Sequence, residues 1–389
     1  MVKGKHEAES AGSAIGTLGK AIAEPAGASS SSVPDERQAP SINLPLLKRL
    51  SETPGVAGRE ERIRQIVVSE LRPLVDDLHV DALGNVTAIK KGSGDLRVML
   101  AAHMDEIGFM VRHIDDQGFL RLQPLGGFDP RVLVAQRVLV HPAEGDSLRG
   151  VLTPATKPIH LLADEKPGSL KLEEFYVDLG LPAERVRELI SIGDSVTLDR
   201  TFEVLGENVI GKALDDRAGV FTMIETLRRL NKHAVNVIAV ATVQEEVGLR
   251  GATTAAFGVE PDIAIALDTT LALDTPGFQS QDMITRIGEG VAIKVFDSSF
   301  IPNFRLVRHL RGVAAKHHIR HQLEVLPRGG TDAGAMQRAR NGAAAITISI
   351  PSRYVHTVNE MVSQLDLDAA ATLLARYLEE AHSGSYELI

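Results

Sequence analysis

Four short apolar runs constrain this 389-residue chain more than any other feature: Arg97 to Ala102 (RVMLAA), Val235 to Val243 (VNVIAVATV), Ile263 to Leu267 (IAIAL) and Ala344 to Ile350 (AAITISI). Runs of this length, apolar at consecutive positions, are the signature of strands buried on both faces. The segments between them have helical spacing. Ile63, Ile66, Val67, Leu71 and Leu74 make a stripe within Glu60 to Val75, and Gly219 to Leu230, Phe304 to His317 and Asp366 to Glu380 read as further helices. Strands alternating with helices predict an α/β fold with a mostly parallel sheet covered by helices on both faces.

The alternation is interrupted once. From Ile107 to about Arg200 the chain breaks into β-like pieces separated by turns: GFMVRHI, GFLRLQPLG, RVLVHP, RGVLTP and SVTLD. These predict a small barrel or sandwich inserted into the first domain, in which Leu172 to Ile190 carries a helix. The expected domains are therefore 41–106 with 201–389, and an inserted β-rich unit over 107–200. Residues 1–40 are rich in Ala, Ser and Gly, with few large apolar side chains, and read as a disordered tail. A signal peptide does not fit, because Gly16, Thr17, Gly19 and Lys20 break the only apolar stretch, Ala14 to Ile22.

Charge and cysteine content narrow the function. The formal net charge is −9 with no dense basic run, which argues against nucleic acid as a partner. No apolar run is long enough to span a membrane. Cysteine is absent, so any metal must sit on His, Asp and Glu; a reducing cytoplasm fits.

In open α/β sheets ligands gather at the carboxyl ends of strands. His103 ends the first apolar run, Glu245 and Glu246 follow the second, Asp268 ends the third, and His356 follows the fourth after a short turn. Asp215 and Asp216 stand where a strand edge at Asn208 gives way to a helix starting near Arg217. Taken singly, each residue is more ordinary than functional: a helix N-cap, a solvated strand end, a satisfied histidine. Their shared topological position points to metal. With Asp215 as a bridge, one cation takes His103, Asp215 and Asp268, and the other takes Asp215, Glu246 and His356. Each then keeps an open position, the catalytic pattern. Two dications, three carboxylates and a bridging hydroxide balance to neutrality, which limits the cost of burying them. Glu245 is left over as a general base, and Asp105 is placed to fix the tautomer of His103.

HMDEIGFMV (His103 to Val111), IGKALDDRAG (Ile210 to Gly219), QEEVGLRGA (Gln244 to Ala252), ALDTT (Ala266 to Thr270), GGTDAGAM (Gly329 to Met336) and SRYVHT (Ser352 to Thr357) together resemble the M42 family of metallo-aminopeptidases. The similarity runs from about Leu44 to Tyr377. It implies a zinc-peptidase α/β domain carrying a β-barrel-like dimerisation domain, with two zinc or cobalt ions per subunit. Manganese also suits such ligands. It further implies trimming of short peptides from their N-termini, and homo-oligomers that often reach a hollow tetrahedral dodecamer. His103, Asp215, Glu246, Asp268 and His356 match the family's ligands, Glu245 its general base and Asp105 its supporting acid, with a cis bond from Asp215 to Asp216. Thr331 and Asp332, in a glycine-rich stretch without the lysine of a phosphate loop, are expected to line the substrate pocket. TKPIHLLADEKPG (Thr156 to Gly168) corresponds to a flexible family loop, here with Lys157, Pro158 and Ile159 replacing part of its motif. The rival readings are a deacylase on the same metal scaffold and a non-catalytic assembly protein.

Overall fold

Residues 42–161 and 168–388 are described by the computed structural model; the tail expected over 1–40, and 162–167 of the loop from Thr156 to Gly168, lie outside the described residues. The four apolar runs become neighbouring parallel strands in the order Asn236–Thr242, Arg97–His103, Ile263–Leu271, Ala344–Arg353. Side chains alternate across each strand. Along Arg97–His103, Val98, Leu100 and Ala102 join one core, while Met99 and Ala101 join another. The first core is built from large residues and receives the helices Leu214–Arg229, Phe304–Lys316 and Gln364–Glu380. The second is rich in alanine (Ala252, Ala255, Ala256, Ala264, Ala266, Ala333), which lets Arg250–Val259 and Asp332–Gln337 lie close to the sheet. No helix among the described residues is long and apolar enough to cross a membrane.

Among the strands of the described residues, parallel pairing occurs in this centre and in the branching pair Val291–Phe296 with His321–Val325. The flanks are antiparallel: Asp77–Val80 and Val86–Lys90 on one side, and Glu360–Ser363, Asn208–Gly211 and Glu203–Leu205 on the other. The reason is connection length. Short turns join Asp77–Val80 to Val86–Lys90 and Ala344–Arg353 to Glu360–Ser363, whereas a parallel neighbour needs a crossover. Register aligns the strand ends. Thr242 pairs with His103, and Ala101 pairs with Ala266, so two residues further along His103 and Asp268 stand level at the carboxyl edge.

The interruption between Ile107 and Arg200 is a closed six-stranded barrel, ordered Gly108–Ile114, Leu120–Leu125, Phe175–Asp178, Leu148–Pro154, Gln136–His141, Ser195–Leu198. It has its own core of Phe109, Val111, Leu120, Val138, Val140, Leu152, Phe175, Val177 and Val196. Leu172 to Ile190 carries a helix, as expected, and also a strand, Phe175–Asp178, that is not among the five β-like pieces named above. The α-helix there is Ala183–Leu189. Phe175 and Val177 are buried with period two, and Val177 pairs with Leu120 on one side and Leu152 on the other, so closing the barrel decides the conformation of this strand.

His141 sits at 8% exposure, with Nε2 2.9 Å from Thr197 Oγ1 and Nδ1 2.7 Å from Ser147 Oγ. Burial, then the nearby Arg62 guanidinium, pushes its pKa down from 6.5 to about 4. The unfolded chain therefore binds the extra proton between these values. The stabilisation is complete above about 6.5 and is lost as pH falls towards 4, by at most about 3 kcal/mol. Urea midpoints measured across that window are expected to fall less steeply in His141→Gln than in the parent; equal slopes would refute this.

Candidate active site

Between the strand Asn208–Gly211 and its helix the chain makes an irregular turn. Ala213 has φ 55°, and Asp215 and Asp216 leave helical geometry, with ψ of 108° and 39° and a cis peptide bond between them. Regular helix resumes at Arg217, as the sequence predicts. Buried ion pairing holds the turn in place. The Lys212 ammonium donates to both oxygens of Glu106 at 2.9 and 2.7 Å, and the buried Arg217 guanidinium donates to the carbonyls of Met104 (2.8 Å) and Thr53 (2.9 Å). Asp216 points inward and accepts from the amides of His103 (3.2 Å) and Gly219 (2.9 Å), so it shapes the turn from below.

Asp215 points the other way. Its Oδ1 lies 3.3 Å from His103 Nε2, and its Oδ2 lies 3.5 Å from His356 Nε2. His356 Nε2 is also 3.4 Å from Glu246 Oε1. Each imidazole is oriented through its other nitrogen: His103 Nδ1 is 3.0 Å from the Asp105 carbonyl oxygen, and His356 Nδ1 is 2.8 Å from that of Gly127. A carbonyl can only accept, so each Nδ1 donates, and a neutral ring would then direct its Nε2 lone pair at the same carboxylate, as a metal ligand needs. Potential ligand atoms of His103, Asp215 and Glu246 fall within 4.8 Å of one another, as do those of His103, Asp216 and Asp268. Asp216 spends its oxygens on amides, which leaves Asp268 and His103 for a cation on that side. All five side chains singled out as ligands thus meet at one place.

Asp105 differs from the expected arrangement. Its carbonyl, rather than its carboxylate, is the nearest acceptor for His103; the carboxylate, 3.6 Å from Nδ1, accepts the amides of Glu245 (3.0 Å) and Glu246 (3.1 Å). It therefore positions both glutamates as well as the histidine. Thr331 and Asp332 are corrected outright as pocket-lining residues. Both are 2% exposed; Thr331 Oγ1 pairs with Thr347 Oγ1 at 2.8 Å, and Asp332 accepts from Thr242 Oγ1 at 2.6 Å. Asp332 opens a helix packed on the sheet, so it lies beneath the cluster, and it is Leu326, Arg328, Gly329 and Gly330 that reach the cavity.

Glu360 is a site residue that the sequence did not reveal. Its two oxygens accept from the amides of Asp215 (3.0 Å) and His356 (2.8 Å), tying together two turns far apart in the chain. The barrel's contribution was also not evident: Gly126 to Val132 returns to the cluster, and a Cβ on Gly126 (φ +94°) would stand 2.6 Å from Ile107 and 3.2 Å from Glu246 Oε2. The double glycine in LGGFDP was the available signal. Ala213, Gln244, Tyr354 and His356 all have positive φ, a concentration of backbone strain at one site.

Electrostatics test whether cations fit here. Burial, then Asp215, drives Asp268 well above the usual carboxylate range; burial, reinforced by neighbouring carboxylates, does the same to Glu245 and Asp216. Against its burial, Asp215 and Glu246 raise His356 to about 12. The cluster holds more negative charge than two imidazoles can balance, and Asp215 Oδ1 is buried without a hydrogen-bond partner. Divalent cations between the carboxylates and the two Nε2 atoms would satisfy both conditions, so the residues present fit such ions. The Glu245 carboxylate makes no hydrogen bond among the described residues and faces a cavity of about 870 Å³.

Carboxylates and outward-facing imidazoles at the ends of parallel strands, under an open cavity with a free glutamate, define a metal-dependent hydrolase. Residues 84–373 match the M42 glutamyl aminopeptidase family, and the chain belongs to that family. It is 37% identical to the lysyl aminopeptidase of Pyrococcus furiosus, over 87% of this chain and 97% of that protein. Among solved structures, an aminopeptidase of the archaeon Desulfurococcus kamchatkensis is 40% identical with a TM-score of 0.85, covering 89% of this chain and 98% of that one. The TET1 peptidase of Pyrococcus horikoshii, which can assemble into a tetrahedron or a large octahedral shell, is 34% identical with a TM-score of 0.77, covering 87% of this chain and 99% of that one. The protein is an aminopeptidase.

Proposed function

We propose that the protein removes N-terminal residues from short peptides with two divalent cations, one held by His103, Asp215 and Asp268 and the other by Asp215, Glu246 and His356. The observation that carries this reading is Asp215, which presents one oxygen to each of two oppositely placed imidazoles. When bound, the cations would lower the pKa of water towards ~7 and polarise the scissile carbonyl. Zinc, cobalt and manganese all suit this donor set. Glu245, free of hydrogen bonds beside the cluster, accepts the proton of the attacking water and returns it to the leaving amine. Asp105 holds Glu245 and Glu246 by their amides, while Glu360 holds Asp215 and His356. The free amino group of the peptide lies among the acids, which limits cleavage to the chain end.

The barrel over 107–200 is the unit through which subunits pair, in homo-oligomers up to a tetrahedral dodecamer. The assembling relative supports this part of the reading, and the absence of cysteine suits a cytoplasmic enzyme. The test combines elemental analysis with a panel of aminoacyl-anilides and N-acyl amino acids. Two ions per chain and anilide hydrolysis are expected, with activity lost on chelation and restored by zinc or cobalt. Turnover of N-acyl amino acids alone would replace the peptidase reading with a deacylase.

A further inference from the structure

The cavity above the cluster is electrically lopsided. Its acidic members on the floor, Asp215, Glu245, Glu246 and Asp268, are all engaged by the proposed chemistry. On the walls, Asp129 is already neutralised: Arg131 donates to it through its amide (2.9 Å) and its guanidinium, with Nε 2.9 and 3.0 Å from its two oxygens. The remaining wall is largely apolar, with Phe128, Val132, Leu271, Leu326 and Val355. One charge is left over. Arg328 is the sole lysine or arginine lining the cavity and has no hydrogen bond or ion pair among the described residues.

The backbone under Arg328 is fixed even though its side chain is not. Leu326 N–H donates to the Phe296 carbonyl at 3.0 Å, and Ser298 N–H donates to the Gly329 carbonyl at 3.2 Å, pinning the loop on either side. Gly329 has φ +109°, and a Cβ on Gly330 would come within 2.8 Å of Ser299. An exposed, unpaired guanidinium on a pinned loop, lining the same cavity as the reacting centre, suits a planar anion in a bidentate grip.

We propose that Arg328 is a specificity-determining residue that receives a carboxylate of the substrate. This deepens the aminopeptidase reading and rests on it. The carboxylate comes either from an acidic first residue or from the C-terminus of a peptide short enough to end inside the cavity. The chemistry is the same in both cases, and the experiment separates them.

Two matched substrate pairs are compared on full-length enzyme loaded with metal: glutamyl- against glutaminyl-anilide, and Leu-Gly against Leu-Gly-amide. In the parent, at least one carboxylate member is preferred. In Arg328→Gln the ratio of kcat/KM between the members of that pair falls about tenfold, the scale of one hydrogen bond to a charged group. Arg328→Lys restores part of it, and Arg328→Glu turns preference towards a lysyl-anilide. A fall confined to the anilide pair assigns the first-residue side chain; a fall confined to the dipeptide pair assigns the C-terminus. Parent ratios near one, or equal losses on both members of a pair, would overturn the proposal. Equal losses with a change in assembly size on a sizing column would make Arg328 a subunit contact and overturn it too. If no anilide or dipeptide is hydrolysed by the parent at all, it is the aminopeptidase reading that fails.

Discussion

Asp215→Asn is expected to lower bound metal from the proposed two ions per chain to one or fewer and to cut kcat by roughly 10³-fold or more. One carboxylate serves both Nε2 atoms, at 3.3 and 3.5 Å, so no other side chain can substitute for it on both sides. The amide keeps the shape but loses the charge that balances two dications. An active-site cation stabilises the transition state by several kcal/mol, and each 1.36 kcal/mol is tenfold in rate. The fold should survive, since Asp216, Glu106, Lys212 and Arg217 hold the turn independently of the Asp215 side chain. Elemental analysis of the variant, with circular dichroism as the control for folding, decides the matter. Two tightly held ions in Asp215→Asn would sink the bridging role.

Glu245→Gln separates chemistry from binding. It removes a carboxylate that makes no hydrogen bond among the described residues, while the Glu245 amide keeps its bond to Asp105. The expected result is full metal content, a nearly unchanged KM and a kcat lower by about 10²–10⁴, the range of a general acid–base group. A matching loss of metal would instead make Glu245 a ligand; parent-like turnover would remove it from the mechanism. The two variants therefore fail in different ways, one losing the ions and the other only the rate.

Much of this site was legible along the chain because it obeys a local rule. His103 and Asp268 end buried strands, Glu245 and Glu246 follow one, and in a parallel sheet all strand ends face the same edge. The central strands and the main helices were readable for the same kind of reason: an unbroken apolar run or an apolar spacing of 3.6 residues is a property of a short window. The strand Phe175–Asp178 was missed because it consists of four residues whose pairing partners lie far away in the chain. Thr331 and Asp332 sit in a motif that does belong to the site, but one-dimensional proximity could not say whether they face the cavity or lie beneath it.

The chain's own pattern was enough for the α/β class, the inserted β-rich unit and the set of candidate ligands, because periodicity and strand-end chemistry act over a few residues. Three features depend on register and on contacts between segments more than a hundred residues apart: Asp215 placed between two imidazoles, Glu360 clamping two turns, and the barrel loop whose Gly127 carbonyl orients His356. Those contacts exist only once packing has chosen one arrangement of the strands, and only the folded molecule could reveal them.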